Sequence, residues 1–374
     1  MYTTPVSRLL FVAGTAADVS GGSGTYIGIS VLREELMARG HGVEMLAPRS
    51  PRGPVSLPRR LVFNVRARKA ARKLLPAADL LVGFDLHGFL VRSRGVSRVA
   101  AIKGVLADES RFERGLSRLR LTIESYFEGL HVRRVDRILT PSAYSAARIA
   151  DSYHVPIERI AVVPEPIDLG RWRRAVQAVP EPPRDGRTIL CVAHLYPRKD
   201  VATLVAAMPR LSQEAVLRIV GACPELARLR SQARELRLDR SVEFLGHLPF
   251  DRLAAEYRRA DVFCLPSRQE AFGIVFLEAM AAGLPIVAAR AAAVPEVVPD
   301  RVCGILVPPG RPDELAKALD RLLSSAEERR RMGEAGRRCA RQYDVALAAT
   351  RFLKAVGLTP DAERGLGRSQ GRVL

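Results

Sequence analysis

A chain of 374 residues exceeds what one hydrophobic core usually organises, so two domains with a cleft between them are expected. No uninterrupted apolar run approaches the roughly 18 residues of a membrane span. The five cysteines (Cys191, Cys223, Cys264, Cys303, Cys339) are odd in number and widely spread, with no C-x-x-C pair, which argues against a disulfide or zinc framework and for a reducing, cytoplasmic setting. The net charge of +19 fits nucleic acid, an anionic membrane or a phosphorylated substrate without choosing among them.

In chain order, short β-branched or Leu-rich runs alternate with segments of 3.6-residue period, the pattern of a parallel sheet covered by helices. The apolar stretch Leu9 to Ala13 is too short for a signal h-region and runs into a glycine-rich loop, so it reads as a first strand, Arg8 to Ala13. Then come helix Tyr26 to Arg39, strand Val43 to Ala47, helix Arg59 to Leu75, strands Leu80 to Val82, Val99 to Ile102 and Arg137 to Thr140, helix Ser142 to Tyr153 and strand Ile160 to Val163. Residues 164–186 are dense in proline and read as a linker. A second series follows, with strands Thr188 to Val192, Val216 to Val220, Val242 to Leu245, Val262 to Leu265 and Pro285 to Ala288. Two α/β units in tandem result. The Arg- and Gly-rich stretch 361–374 reads as a disordered tail.

The chemistry concentrates in the loops after strands. Ser267-Arg-Gln-Glu270-Ala-Phe272-Gly273-Ile274-Val-Phe-Leu-Glu278-Ala-Met-Ala-Ala-Gly283-Leu-Pro follows a strand. It puts Glu270 in the loop at a carboxyl end and a helix N-terminus, suited to phosphate, at the cleft. Glu278, on that helix, is an acceptor only and suits sugar hydroxyls. Taken bare, an E-x7-E spacing also fits a surface ion pair and an N-cap; the loop, helix and Gly283-Leu-Pro context weigh against that.

With these residues the chain resembles glycosyltransferase family 4 over nearly its whole length. The resemblance implies the GT-B fold, two Rossmann-like domains facing a central cleft. The expected division is 1–166 (acceptor domain), 167–186 (linker), 187–345 (nucleotide-sugar domain) and a helix in 346–360 packing back on the first domain. It implies that Glu270 holds donor-sugar hydroxyls and Glu278 the ribose, and that Phe272, Gly273 and Ile274 contact sugar and diphosphate through backbone amides.

Asp18-Val-Ser-Gly21-Gly22-Ser-Gly24 is neither G-x-G-x-x-G nor a Walker motif, and alone it fits a tight turn equally well. By resemblance it is the N-terminal glycine loop that brings Gly22 to the diphosphate, with Gly21 beside it. Cys191-Val-Ala-His194-Leu-Tyr-Pro-Arg198-Lys199 offers Lys199 as a cation for the leaving diphosphate. The family usually has arginine at His194, so either Arg198 substitutes or His194 acts as a weaker donor. Two further departures are Lys103, where the family often has histidine near the sugar and acceptor, and Glu165, where it more often has asparagine. His87, after a strand, is a candidate base, although a lone histidine is more often structural. Gly246-His-Leu248 resembles the stretch lining the nucleotide base.

The expectation is a retaining transferase moving a sugar from a nucleotide diphosphate donor, with no cofactor and no obligatory metal. Retention comes from the resemblance alone. The alternatives are a nucleotide-sugar epimerase or phosphorylase of the same fold, or a non-enzymatic polyanion-binding protein. Nucleic acid is not the expected partner. The segment Arg59 to Lys73 holds seven cations and no acid; it sets Phe63, Ala67, Ala70 and Leu74 on one helical stripe and Arg59, Arg66, Lys69 and Lys73 on another. A solvated surface helix fits this. So does a peripheral seat on the inner membrane face, or an anionic, lipid-linked acceptor.

Overall fold

A computed structural model describes residues 6–14, 24–48, 56–180, 187–222 and 224–358. Gly21, Gly22, Cys223 and the segment 361–374 lie outside the described residues.

The first half contributes β1 (Arg8–Val12), β2 (Gly42–Leu46), β3 (Leu80–Phe84), β4 (Ser97–Ala101), β5 (Arg137–Thr140) and β6 (Ile160–Val162), in the spatial order β2-β1-β3-β4-β5-β6. The second contributes β7 (Arg187–Val192), β8 (Ala215–Val220), β9 (Val242–Gly246), β10 (Val262–Leu265), β11 (Ile286–Ala289) and β12 (Gly304–Val307), ordered β12-β11-β10-β7-β8-β9. All pairings between these strands are parallel. Parallel strands are covered on both faces, which is why β3 and β10 are buried throughout. Strand order reverses between β1 and β3 in the first sheet and between β7 and β10 in the second. Loops leaving the carboxyl ends at such points open a crevice for ligands.

The halves are joined by more than a linker. Helix Val345–Ala355 returns to the first sheet and buries Ala349, Phe352 and Leu353 in the core that holds Leu9, Phe11 and Val82. Phe352 meets Phe11 edge-on, with ring centroids 6.2 Å apart. Beside it, Val345 donates its amide to Ile167 and Ile167 donates to Tyr343, both at 3.0 Å, so the two crossings run side by side.

Two differences from the sequence reading are informative. Within 167–186, helix Leu169–Gln177 buries Leu169, Trp172 and Val176, and Trp172 packs edge-on against Tyr257 at 5.1 Å in the second core. This part of the proline-rich segment is packed structure, because its apolar residues recur at i, i+3 and i+7. The longest helix, Gly115–Arg134, has no capping side chain and a weak apolar stripe, so periodicity does not announce it.

Candidate active site

Both loops leaving the second sheet's reversal point carry candidate residues, and the fold brings them into contact. After β7 the chain makes the short turn Pro197–Lys199, and Asp200 takes a left-handed φ of +50°. The Lys199 ammonium donates to Oε1 of Glu270 at 2.6 Å, and Ser267 Oγ donates to the same oxygen at 2.9 Å. The Arg268 amide binds the Arg198 carbonyl at 2.8 Å, tying one loop to the other. Glu270 is buried, and the Lys199 side chain keeps 14% of its exposure. A buried pair holds its geometry only when its remaining donors and acceptors are met. Two ammonium protons and the second carboxylate oxygen are chemically suited to a charged, hydroxyl-bearing ligand.

Helix Ile274–Ala282 starts directly after this loop. Its N-cap Gly273 has φ +91°, and a Cβ there would fall 2.6 Å from the Phe276 ring, so only glycine fits. The first turn leaves amides that the helix itself cannot pair, beside Glu270. Glu278 is buried one turn further on; its Oε2 accepts from Tyr257 at 2.8 Å, and burial pushes its carboxyl up to about 7. Phe272 lies under the site with its ring edge-on to Tyr343, and Leu248 packs at the margin of the second core. His194 is exposed. Arg198 pairs with Glu109 of the first half at 3.2 Å and lies over the Tyr196 ring at 4.8 Å, which commits it to an inter-domain contact.

On the opposite side, the two departures Lys103 and Glu165 find each other. Lys103 Nζ lies 2.8 Å from Oε1 and 2.9 Å from Oε2 of Glu165. Glu165 is buried, and its Oε2 would stand 2.4 Å from a Cβ on Gly28, which is why the first helix presents a glycine there. The same virtual Cβ is 3.7 Å from Ile274, so the pair borders the start of the Glu278 helix. Lys103 also donates its amide to Oδ1 of Asp85 at 2.9 Å. Asp85 has φ +53° and a carboxyl raised to about 6 by burial.

His87 is buried, with Nδ1 3.1 Å from the Phe84 carbonyl, which fixes the proton on Nδ1. Burial lowers its pKa to about 3. Nε2 has no hydrogen-bond partner among the described residues and lies against Gly14, where a Cβ would come within 1.9 Å. Such a histidine stays neutral near pH 7 and offers Nε2 as a hydrogen-bond acceptor. Sequence reasoning missed Ser267, Tyr257 and Asp85 as partners. Asp85 had a signal, a carboxylate just past a strand end; Tyr257 had none, since it reaches Glu278 from another helix.

The basic segment forms helix Leu57–Leu74. Arg66, Arg68, Lys69, Arg72 and Lys73 are exposed, while Arg60 turns inward, its Nε 3.6 Å from Glu124, a buried residue of helix Gly115–Arg134. Val62 and Val65 on the first helix, and Leu116, Leu119, Ile123 and Tyr126 on the second, are exposed. Among the described residues no helix is long and apolar enough to cross a membrane, and no group of three His, Cys, Asp or Glu gathers to hold a metal.

The profile described as Glycosyltransferase Family 4 matches residues 21–171, and that of Glycosyl transferases group 1 matches residues 173–339. The chain is 31% identical over 370 residues to the GDP-mannose-dependent alpha-(1-6)-phosphatidylinositol monomannoside mannosyltransferase of Mycobacterium tuberculosis, covering 89% of this chain and 93% of that one. It is 30% identical over 374 residues to the phosphatidyl-myo-inositol mannosyltransferase of Mycobacterium leprae, covering 93% and 96%. Among solved structures, sucrose-phosphate synthase from Thermosynechococcus elongatus superposes with a TM-score of 0.79 at 20% identity, over 96% of this chain and 99% of that one.

Proposed function

The chain belongs to glycosyltransferase family 4 and has the GT-B fold of a nucleotide-sugar glycosyltransferase, and from that premise we propose that it transfers a mannosyl group from GDP-mannose, with retention, to a lipid-linked acceptor. The observation that carries the proposal is the Lys199–Glu270 pair beside the helix N-terminus at Gly273 and Ile274, which no side chain caps. In this reading the diphosphate lies on the helix N-terminus, where the dipole and free amides favour an anion. Lys199 faces the oxygen that gains charge as the bond to C1 breaks, so its attraction grows toward the transition state. Glu270 orients sugar hydroxyls and Glu278 the ribose. The departing phosphate oxygen takes the proton of the acceptor hydroxyl on the same face, which gives retention without a protein nucleophile. Lys199, the helix and the glycine loop with Gly21 and Gly22 supply the neutralisation, so no metal or cofactor is assigned.

His194 is proposed as a weak phosphate donor, since Arg198 is held by Glu109. The Lys103–Glu165 pair borders the sugar and acceptor side. GDP-mannose and phosphatidylinositol-type acceptors are read across from the mannosyltransferases that this chain resembles. The exposed cations of helix Leu57–Leu74, with exposed Leu116, Leu119 and Tyr126 on its neighbour, support a peripheral seat on an anionic membrane at the cytoplasmic face.

Thermal stabilisation by GDP-mannose, UDP-glucose and ADP-glucose tests the donor. A ligand at 100 times its Kd adds about 2.7 kcal/mol. GDP-mannose is expected to raise Tm most; stabilisation by UDP-glucose alone would replace the donor assignment.

A further inference from the structure

Lys199 and Glu270 sit on loops of the second half, yet the residues flanking them are held from the first half. Gln269 is buried and donates from Nε2 to Oδ2 of Asp108 at 3.2 Å. On the other side of Glu270, the Ala271 carbonyl accepts from Ser142 Oγ at 2.7 Å, with Ser145 Oγ at 3.3 Å. Arg198, next to Lys199, takes Glu109 at 3.2 Å.

A reciprocal grip runs from the second half to the first. Glu296 accepts the amides of Ala143 and Tyr144, each at 2.8 Å, and so caps helix Ala143–Tyr153 with negative charge at its positive end. Three residues earlier, the Ala293 amide binds the Glu270 carbonyl at 3.2 Å. Movement of the capped helix therefore reaches Glu270 by two routes, through Ser142 and Ala271 and through Glu296 and Ala293.

The first-half side of this contact is fixed in advance. Asp108 is buried, accepts from the Tyr144 hydroxyl at 2.7 Å and has Arg148 Nε at 3.4 Å and Arg111 Nη1 at 3.5 Å. Ser142 is buried and also accepts the Ser145 amide at 3.1 Å. Neither side chain needs to reorganise to meet the opposite half, so binding there transmits position rather than being absorbed by rotamer freedom.

We infer that Asp108, Glu109, Ser142 and Glu296 are positioning residues that form an inter-domain clamp, the first three holding residues 269, 198 and 271 and Glu296 holding the helix that begins at Ala143, and that the clamp sets the alignment of Lys199 with Glu270. The inference rests on reading that pair as the transfer site. With the halves apart, Gln269, Ala271 and Arg198 lose these partners, and the two loops keep only the supports of their own half. A displacement of about 1 Å at a reacting group costs about 10²-fold in rate. On this reading the donor nucleotide keeps its second-half contacts in either arrangement and loses at most those of the glycine loop.

The experiment compares full-length wild type with Glu296→Ala, Glu296→Gln, Ser142→Ala and Asp108→Asn. It measures kcat and KM for GDP-mannose turnover, GDP affinity by calorimetry, and small-angle scattering with GDP bound. In Glu296→Ala, kcat is expected to fall between about tenfold and 10²-fold, while KM and GDP affinity change less than about threefold. Glu296→Gln keeps one carbonyl oxygen for the two amides and recovers part of the loss. The radius of gyration rises in Glu296→Ala and in the milder Asp108→Asn, which retains side-chain size. Wild-type kcat and an unchanged scattering profile in both would overturn the clamp, as would GDP affinity falling in step with kcat. Should the wild type turn over no GDP-mannose while the variants still open, the donor reading falls and the clamp stands.

Discussion

The two halves share six parallel strands and a crevice at the strand-order reversal, but they assemble their polar groups differently. In the second half, Ser267, Glu270, Gly273 and Glu278 come from one continuous stretch, joined by a single turn carrying Lys199. In the first half, the groups facing the cleft come from separate loops: Gly14 after β1, Asp85 and His87 after β3, Lys103 after β4 and Glu165 after β6. On the proposed reading the continuous stretch takes the nucleotide diphosphate, a ligand part common to many enzymes, and the spread groups face the acceptor; it is among these that Lys103 and Glu165 depart from the residues the resemblance leads one to expect.

The comparison breaks first at Glu270. Glu270→Ala is expected to lower GDP-mannose turnover per folded molecule by about 10² or more, and because it strips Lys199 of its partner it should also cost about 3 kcal/mol in a urea melt. Lys199→Ala should do the same through the leaving group. Turnover of both variants at the wild-type rate would move the site out of the second half.

Next comes the first-half pair. Lys103→Met leaves Glu165 buried without its cation and should cost about 3 kcal/mol in a urea melt. Glu165→Gln should cost less, because Lys103 is the more exposed partner. The double variant Lys103→His, Glu165→Asn, which restores the residues more usual in the family, should recover most of the loss. Coupling is read from the cycle closed by the double variant Lys103→Met, Glu165→Gln; a loss equal to the sum of its two singles would mean that the residues are not coupled.

A smaller effect comes from pH. Burial raises the Glu278 carboxyl from 4.5 to about 7, and if Glu278 holds the ribose its ionised form is the stronger acceptor for the two hydroxyls. GDP-mannose carries no phosphate proton that titrates near neutrality, so its affinity should improve between pH 6 and 8, by at most about tenfold per unit below the pKa. Glu278→Gln should bind weakly and without this slope. The stability sign is the reverse: a raised native pKa stabilises the ligand-free protein fully below 4.5, and the contribution is lost as pH rises through about 7. A pH-independent Kd would remove Glu278 from the ribose.

Smallest per residue is the membrane contribution. Each cation near an anionic surface is worth about 1 kcal/mol, roughly fivefold in partitioning. Sedimentation with anionic vesicles at low salt should retain wild type and release the variant with Arg66, Lys69 and Lys73 changed to Gln. Equal binding of the two would argue for an acceptor met in solution.

How much of this was legible in the sequence follows the same division. Glu270, Glu278 and Lys199 stood out as candidates because each follows a strand end in the chain, and the structure brings Lys199 and Glu270 into contact. The strands themselves were mostly legible from their apolar runs; β12, Gly304–Val307, was not read. The Lys103–Glu165 pair was visible only as two separate oddities, since its partners are 62 residues apart and meet through the sheet order. The commitment of Arg198 to Glu109, and the inward turn of Arg60 toward Glu124, depend on which helix faces which, and periodicity carries no such information.

The central claim is a same-face transfer at the Lys199–Glu270 pair, and the most direct test is the configuration of the first sugar released. GDP-α-mannose is followed by proton NMR from the first minute with wild type and with Glu270→Ala. The account predicts that the α anomer appears first, before mutarotation, and that its release is lost in the variant. The β anomer appearing first, or equal release by both proteins, would contradict it.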